Sequence, residues 1–243
     1  MKISKLRTQW IMLLSAMQVA NTCGWSIFKY LTGKTNRPWV DGMIQLWADR
    51  TLKLVGVQCQ IINPHQVEPK KNKPTIIMCN HSSLYDIPIS FKVFPQCSIR
   101  MLAKKELAKI PIMGKGMMAA EFPFIDRKNR HQALQDLEAV KTLLKSGIVM
   151  WIAPEGTRSK DGKLAPFKKG AFITAIQTEA EIIPIGIRGA YDILPARTTQ
   201  FNLNQIAEIH IGKPIEASAY NLDSKDELIA ITHQEMKKLV GEE

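Results

Sequence analysis

Short apolar runs alternate with helical patterns along most of the chain after Val57. The runs are rich in β-branched residues, which is typical of buried strands, and they cover 57–62, 75–79, 98–103, 122–125, 148–153, 182–188 and 206–211. Helical patterns lie between several of them. This alternation predicts an α/β fold with a single mixed, mostly parallel sheet covered by helices.

Two of the helical patterns have clear boundaries. The stretch 131–146 has apolar residues at helical spacing and ends at Gly147, a typical stop signal. The last helix is predicted to open with a capping box formed by Ser224 and Glu227 and to run to about Val240.

The first 55 residues have a different pattern. The run 9–28 contains no charged residue and, as a helix, is about 30 Å long, enough to cross a bilayer. Four polar residues recur in it at helical spacing and predict an amphipathic helix, namely Ser15, Gln18, Thr22 and Ser26. A second amphipathic pattern follows at 39–55, and Trp10, Trp25, Trp39 and Trp47 lie in these two stretches.

We interpret 1–55 as two helices that sit in one membrane leaflet and 56–243 as a separate α/β domain. Tryptophan prefers the interface between headgroups and hydrocarbon, and the basic N-terminus is expected to face the cytoplasm. The sequence leaves open whether 9–28 spans the bilayer. It also leaves open a cleaved signal peptide and a pair of core-packing helices in a soluble protein.

Composition narrows the possible partners. Lys and Arg outnumber Asp and Glu by 33 to 22, a net charge of +11, which suits anionic partners such as anionic lipid, nucleic acid or a phosphorylated substrate. No stretch resembles a nucleic-acid-binding module, so we expect no nucleic-acid partner. The four cysteines lack metal-binding spacing and indicate a reducing compartment. We expect no metal and no cofactor.

The strand at 75–79 is followed at once by polar residues, among them His81 and Asp86. On one continuous helix these two side chains would lie about 140° apart. They can meet if His81 lies in the turn and Asp86 in the first turn of the next helix. The carboxylate would then fix the imidazole tautomer and leave the other ring nitrogen free to act as a base. The alternative is that Asp86 only caps a helix.

Two other strand ends carry groups that suit phosphate. Arg127 follows the strand at 122–125, and the strand at 148–153 leads into Glu155, Gly156, Thr157 and Arg158. Glycine allows close backbone approach, and the arginine guanidinium matches phosphate oxygens.

Four segments in order resemble the conserved blocks of the glycerolipid acyltransferases: NHSSLYD, FIDR, EGTRSKDGKLAPFKKGA and IIPIGIRGA. The resemblance covers about residues 56–215. The member type that it resembles most is the bacterial 1-acyl-sn-glycerol-3-phosphate acyltransferase, which is similar in length and in its N-terminal membrane helices.

This resemblance implies an acyltransferase domain at 56–243 that moves a fatty acyl group from acyl-CoA or acyl carrier protein to lysophosphatidic acid. His81 is then the general base and Asp86 its orienting carboxylate. Glu155, Gly156, Thr157 and Arg158 belong to the acceptor phosphate site, as does Arg127, with Lys105 a weaker candidate. The expected location is the inner membrane, with the site on the cytoplasmic side.

Several alternatives remain open from the sequence. Ser82 or Ser83 could form an acyl-enzyme in place of direct transfer. The acceptor could be glycerol-3-phosphate or another lysophospholipid. The protein could also bind anionic lipid without catalysis, or use the His81–Asp86 pair to activate water. Acyl-chain length, donor and oligomeric state are not readable from the sequence.

Overall fold

The computed structural model describes residues 3–126 and 128–242. The helices are Lys5–Leu31 (α1), Arg37–Val55 (α2), Asp86–Ser90 (α3), Met113–Ala119 (α4), Arg130–Lys145 (α5), Lys169–Gln177 (α6), Ala190–Ile193 (α7) and Lys225–Val240 (α8). The strands are Gln58–Ile62 (β1), Thr75–Cys79 (β2), Ile99–Met101 (β3), Ala103–Lys104 (β4), Phe124–Ile125 (β5), Val149–Ile152 (β6), Glu181–Arg188 (β7), Ile206–Ile211 (β8) and Ile215–Glu216 (β9).

The principal sheet has the strand order β1-β8-β7-β2-β6-β3, with β9 beside the start of β7. Its strands pair in parallel except for β7 with β8 and β7 with β9. Ile77 on β2 is in register with Trp151 on β6 and Ile183 on β7. The predicted mixed, mostly parallel α/β fold is therefore confirmed. Because β2 and β6 are parallel neighbours, the loops that follow them leave the same edge of the sheet.

Each face of the sheet has its own hydrophobic core, because successive strand residues point to opposite faces. On one face, Ile77 packs in a cluster with Val40 and Ile44 of α2. On the other, Ile76 packs in a cluster with Val140 of α5 and Phe172 of α6. The helix predicted at 131–146 is thus present as α5, with an inward apolar stripe.

The capping box predicted for the last helix is wrong. The Ser224 side chain accepts a hydrogen bond from the backbone N–H of Asn221 at 2.9 Å, and Ser224 makes no side-chain cap bond to the helix. Asn221 Oδ1 in turn accepts from the N–H groups of Asp223 and Ser224. Asparagine side chains readily form such local turns, and this one engages the serine before the helix begins.

The apolar run at 98–103 divides between two sheets. Leu102 N still donates to Trp151 O on β6, but Ala103 N donates to Pro123 O, and β4 pairs in parallel with β5. The chain thereby leaves the principal sheet beyond β3. Residues 105–123 form an excursion from the sheet that includes the helix α4.

The polar stripe of α1 faces the protein interior. Ser15, Thr22 and Ser26 line an internal cavity, and Gln18 Oε1 accepts from Thr51 Oγ1 of α2 at 3.1 Å. The outer face is apolar and exposed, with Trp10 55% and Met17 58% exposed, and includes Leu6, Leu13, Trp25, Phe28 and Leu31. Within the described part of the chain, α1 is the helix long and apolar enough to cross a membrane. A polar inner face with an apolar outer face is expected where the outer face meets lipid.

A stripe of polar residues on α2 joins the N-terminal segment to the sheet region. Its members recur every four residues and bond to distant partners: Arg37 to Glu121, Asp41 to Arg100, Gln45 to Phe91 O and Asp49 to Lys92. Apolar residues of the same helix are buried in the core. The segment 1–55 thus packs against the α/β region, and a functional boundary at residue 55 stays a prediction.

Candidate active site

Asn80 fixes the carboxyl end of β2. Its side-chain amide donates to Ile187 O at 2.9 Å and its Oδ1 accepts from Ile187 N at 2.7 Å, so the chain beyond β2 is bonded to β7. The residue that follows, His81, therefore emerges at a rigid point of the sheet edge.

His81 and Asp86 are brought together. His81 Nδ1 lies 2.9 Å from Asp86 Oδ2, which also accepts the backbone N–H groups of Ser82 at 2.7 Å and Ser83 at 2.8 Å. Asp86 is fully buried as the first residue of α3. Within the described part of the chain His81 Nε2 has no protein partner, and the ring lines the internal cavity. The pair has the geometry of a base with its orienting carboxylate.

Two residues that the sequence analysis missed support this pair. Trp151 on β6 packs edge-on against the His81 ring, with 5.9 Å between ring centroids. Its indole N–H donates to Ser90 Oγ at 2.9 Å, and Ser90 Oγ donates to Asp86 O at 2.7 Å. Trp151 is the one tryptophan outside the first 47 residues, and this separate position could have marked it as a candidate site residue.

Glu155 faces the protein instead of the cavity. It is 2% exposed, and its two oxygens accept the backbone N–H groups of His81 at 2.7 Å and Ala165 at 3.0 Å. Burial raises the pKa of the Glu155 carboxyl to about 7, although these two hydrogen bonds oppose the rise. This environment does not match the expectation that Glu155 contacts a substrate phosphate.

The loop after β6 is bonded to the His81 turn from both sides. Besides the Glu155 bond to His81 N, the backbone N–H of Ser159 donates to His81 O at 2.7 Å. Between these anchors Gly156, Thr157 and Arg158 line the same cavity as His81. Gly156 has φ +73°, a left-handed conformation that favours glycine.

The other predicted cations are placed differently. Lys105 Nζ lies 3.4 Å from Asp126 Oδ2, and Lys105 does not line the cavity, whereas its neighbour Lys104 and also Lys128 do. Arg127 lies outside the described residues. The sequence alone could not indicate which of the consecutive residues Lys104 and Lys105 lines the cavity.

The cavity has a volume of about 940 Å³ and lies between the N-terminal helices and the end of the sheet. Its polar part contains His81, Thr157, Arg158, Lys104 and Lys128. Its larger apolar part includes Met12, Val19, Met43, Ile44, Trp47, Tyr85, Phe91, Met117, Phe122 and Trp151. Such a cavity suits a molecule with an anionic group and a long apolar chain.

Neither metal ligation nor a free Ser83 nucleophile is indicated. Residues 3–126 and 128–242 contain no group of three or more His, Cys, Asp or Glu side chains that could hold a metal ion. Ser83 is fully buried, and its hydroxyl donates to Leu194 O at 2.8 Å and accepts from Tyr85 N at 3.2 Å.

The chain is similar to known acyltransferases. A family model described as Acyltransferase matches residues 59–188. An uncharacterised acyltransferase of Schizosaccharomyces pombe is 31% identical over 93% of this chain and 77% of its own. The 1-acyl-sn-glycerol-3-phosphate acyltransferase of Haemophilus influenzae is 30% identical over 83% of this chain and 82% of its own. Several longer animal and plant relatives are matched over 42% to 59% of their length.

A solved structure is similar over nearly the whole chain. It is the crystal structure of the 1-acyl-sn-glycerophosphate (LPA) acyltransferase PlsC from Thermotoga maritima, with a TM-score of 0.80 and 25% identity, covering 98% of this chain and 94% of that one. The family match, the relatives and this fold together show that the chain belongs to the acyltransferase family.

Proposed function

We propose that the protein transfers a fatty acyl group from a thioester to the sn-2 hydroxyl of lysophosphatidic acid, giving phosphatidic acid. The observation that carries this proposal is the shared cavity: the His81–Asp86 pair, the cations and a long apolar wall line one space of about 940 Å³. Two relatives named for this reaction, from H. influenzae and T. maritima, support the same acceptor.

His81 acts as the general base. Its Nε2 removes the proton of the acceptor hydroxyl while the oxygen attacks the thioester carbonyl carbon. Asp86 accepts the Nδ1–H at 2.9 Å, which keeps the tautomer correct and stabilises the imidazolium. When the tetrahedral intermediate collapses, the carbon–sulfur bond breaks and the imidazolium returns its proton to the leaving thiolate. The step needs no other reactant.

The cations of the cavity bind the acceptor phosphate. Arg158 supplies a planar fork, and Lys104 on β4 and Lys128 after β5, which both lie beside Glu106, supply point charges. The backbone at Gly156 and the Thr157 hydroxyl complete this side, and Arg127 stays a predicted contact. Glu155 acts as a positioning residue, because its carboxylate holds the backbone N–H of His81.

Direct transfer is favoured over an acyl-enzyme. Ser82 and Ser83 are both buried and neither lines the cavity that His81 lines, and the Ser83 hydroxyl is also bonded to Leu194 O and Tyr85 N. No cofactor is required. The donor is acyl-CoA or acyl carrier protein, and the acceptor reaches the site from the cytoplasmic leaflet of the inner membrane, in which α1 is seated.

A substrate panel tests this function. Purified protein in detergent is supplied with acyl-CoA or acyl carrier protein and with lysophosphatidic acid, glycerol-3-phosphate or a zwitterionic lysophospholipid. We expect phosphatidic acid from lysophosphatidic acid and little product from the others. Preferred acylation of glycerol-3-phosphate would assign a different acceptor, and release of free fatty acid without an ester product would indicate a hydrolase. If none of the donor–acceptor pairs gave a product, that result would contradict the proposal.

A further inference from the structure

Residues 104–118 form a projection that exposes apolar side chains. It comprises a 3₁₀ helix at Lys105–Lys109, a tight turn and the start of α4. Ile110 is 43% exposed, Ile112 49% and Met118 52%. We call this the 104–118 surface.

The backbone of the turn at Ile112 is strained. Ile112 has φ 64° and ψ −56°, and Met113 N donates to Pro111 O at 2.6 Å, which closes a γ-turn. This turn type is rare and strained, and positive φ is a genuine outlier for a β-branched residue. The turn is fixed by Gly114 N, which donates to Ile110 O at 2.9 Å. A rigid, strained turn thus holds an isoleucine in solvent, where a polar residue would be expected.

The charge of this surface is positive. Lys104 and Lys105 lie beside the acidic groups of Glu106 and Asp126. Lys109 and Lys115 are exposed and form no ion pair with the described residues. Exposed apolar residues among lysines are complementary to an anionic lipid surface, where hydrocarbon and negative headgroups lie a few ångströms apart.

The surface adjoins the lipid-facing helix. Gly116 of α4 packs so closely on Cys23 of α1 that an added Cβ would lie 2.3 Å from the cysteine Cβ. The inner side of α4, at Met113 and Met117, lines the same cavity as His81. The segment that carries the 104–118 surface therefore packs on α1 and also borders the active-site cavity.

We propose that the 104–118 surface is a second membrane-contacting element. Ile110, Ile112 and Met118 enter the outer part of the leaflet, and Lys109 and Lys115 bind anionic headgroups. This inference concerns membrane contact and does not rest on the proposed reaction. A bilayer is favoured over an acidic carrier protein because apolar side chains stand among the charges.

A site-specific fluorophore tests the insertion. In the full chain with Cys59→Ser and Cys97→Ser, an environment-sensitive label is attached at Ile112→Cys, at Met118→Cys or, as control, at Leu222→Cys. Leu222 is similarly exposed but precedes α8, whose core lies on the opposite sheet face. With phosphatidylcholine–phosphatidylglycerol vesicles, we expect a blue shift at 112 and 118, with quenching by spin labels placed shallowly in the bilayer. Position 222 should stay unchanged.

The proposal is wrong if labels at 112 and 118 behave like the label at 222 while the protein floats with vesicles. It is also wrong if position 112 is shielded by acyl carrier protein but not by vesicles. Because flotation reports attachment of the whole protein, these outcomes are separate from failure of membrane attachment as a whole.

Paired charge reversals test the headgroup contact. Lys109→Glu with Lys115→Glu should weaken binding to anionic vesicles about tenfold or more, since each lysine near the surface contributes substantially. Lys213→Glu with Lys237→Glu makes the same change in net charge at exposed sites elsewhere and should alter binding less than about twofold. Equal losses in the two pairs, or no loss in either, would contradict a local contact.

Discussion

At the scale of single residues, the candidate site separates groups that line the cavity from groups that hold those groups in place. Asp86 and Glu155 are both buried carboxylates, yet Asp86 bonds the His81 ring and Glu155 bonds the His81 backbone. Arg158 is not engaged in this way and lines the cavity. Substitutions at these positions should therefore change different measured quantities, acceptor kinetics for Arg158 and folding stability for Glu155.

Arg158→Ala should raise the KM for lysophosphatidic acid. A lost hydrogen bond to a charged group costs about 1.5–3 kcal/mol, so kcat/KM should fall about 10- to 100-fold. Lys160→Ala removes an exposed cation of the same loop that does not line the cavity, and its kinetics should match wild type. Unchanged acceptor kinetics in Arg158→Ala would remove this residue from the phosphate site.

Glu155 should make stability depend on pH. Its pKa is raised by burial to about 7, above the ordinary glutamate value of about 4.3, so folding takes up a proton between these values. The free energy of unfolding should therefore fall as pH rises through this interval, by about 4 kcal/mol in all. Denaturant unfolding at a series of pH values should show the wild-type advantage over Glu155→Gln shrinking across it. Parallel curves for the two proteins would refute the assignment.

At the scale of elements, α2 attaches the N-terminal segment through its four-residue polar repeat. One bond in that repeat is buried: Arg100 is fully buried, and Asp41 Oδ1 lies 2.7 Å from its Nη1. The bond between Asp49 and Lys92, at 2.6 Å, is partly exposed. A buried charge that loses its partner is costly, whereas an exposed pair contributes little.

Asp41→Ala should lower the free energy of unfolding by about 3 kcal/mol, and Asp49→Ala by less than about 1 kcal/mol. Denaturant unfolding in detergent, followed by tryptophan fluorescence, measures both. If the two variants lost equal stability, the buried pair would not be the main polar attachment of α2.

The sequence pattern predicted the helices and strands better than it predicted which residues contact one another. Runs such as 75–79 and 206–211 became strands with the predicted bounds, because burial in a sheet leaves a local signature. The polar stripe of α1 was visible, but a stripe does not reveal whether it faces water or protein. The repeat on α2 was missed because Arg37 and Asp41 bond to residues 59 to 84 positions away. The His81–Asp86 pair was predictable because its members are five positions apart in sequence, whereas the inward direction of Lys104 depends on how the chain leaves the principal sheet after β3.

At the scale of the whole molecule, the fold places the sheet end and the N-terminal helices around one cavity. The sheet edge supplies the chemistry, and α1 supplies an apolar outer face next to the cavity. The bacterial relatives and this helix together indicate membrane association.

Met17→Glu combined with Phe28→Glu should release the protein from vesicles, because each charge would have to enter an apolar layer at a cost of about 2.5 kcal/mol or more. Leu222→Glu places one charge at an exposed apolar residue far from α1 and should float like wild type. Flotation on a density gradient measures both. Retained flotation of the double variant would show that the outer face of α1 is not what holds the protein on vesicles.

The central claim is that His81 is the base for acyl transfer to lysophosphatidic acid, and one variant tests it most directly. Phosphatidic acid formation is measured for wild type, His81→Ala and, as control, His210→Ala, whose ring pairs with Glu208 away from the cavity. We expect His81→Ala to lose about 10²–10⁴ in kcat while binding lysophosphatidic acid nearly normally, and His210→Ala to resemble wild type. Wild-type kcat in His81→Ala would contradict the account.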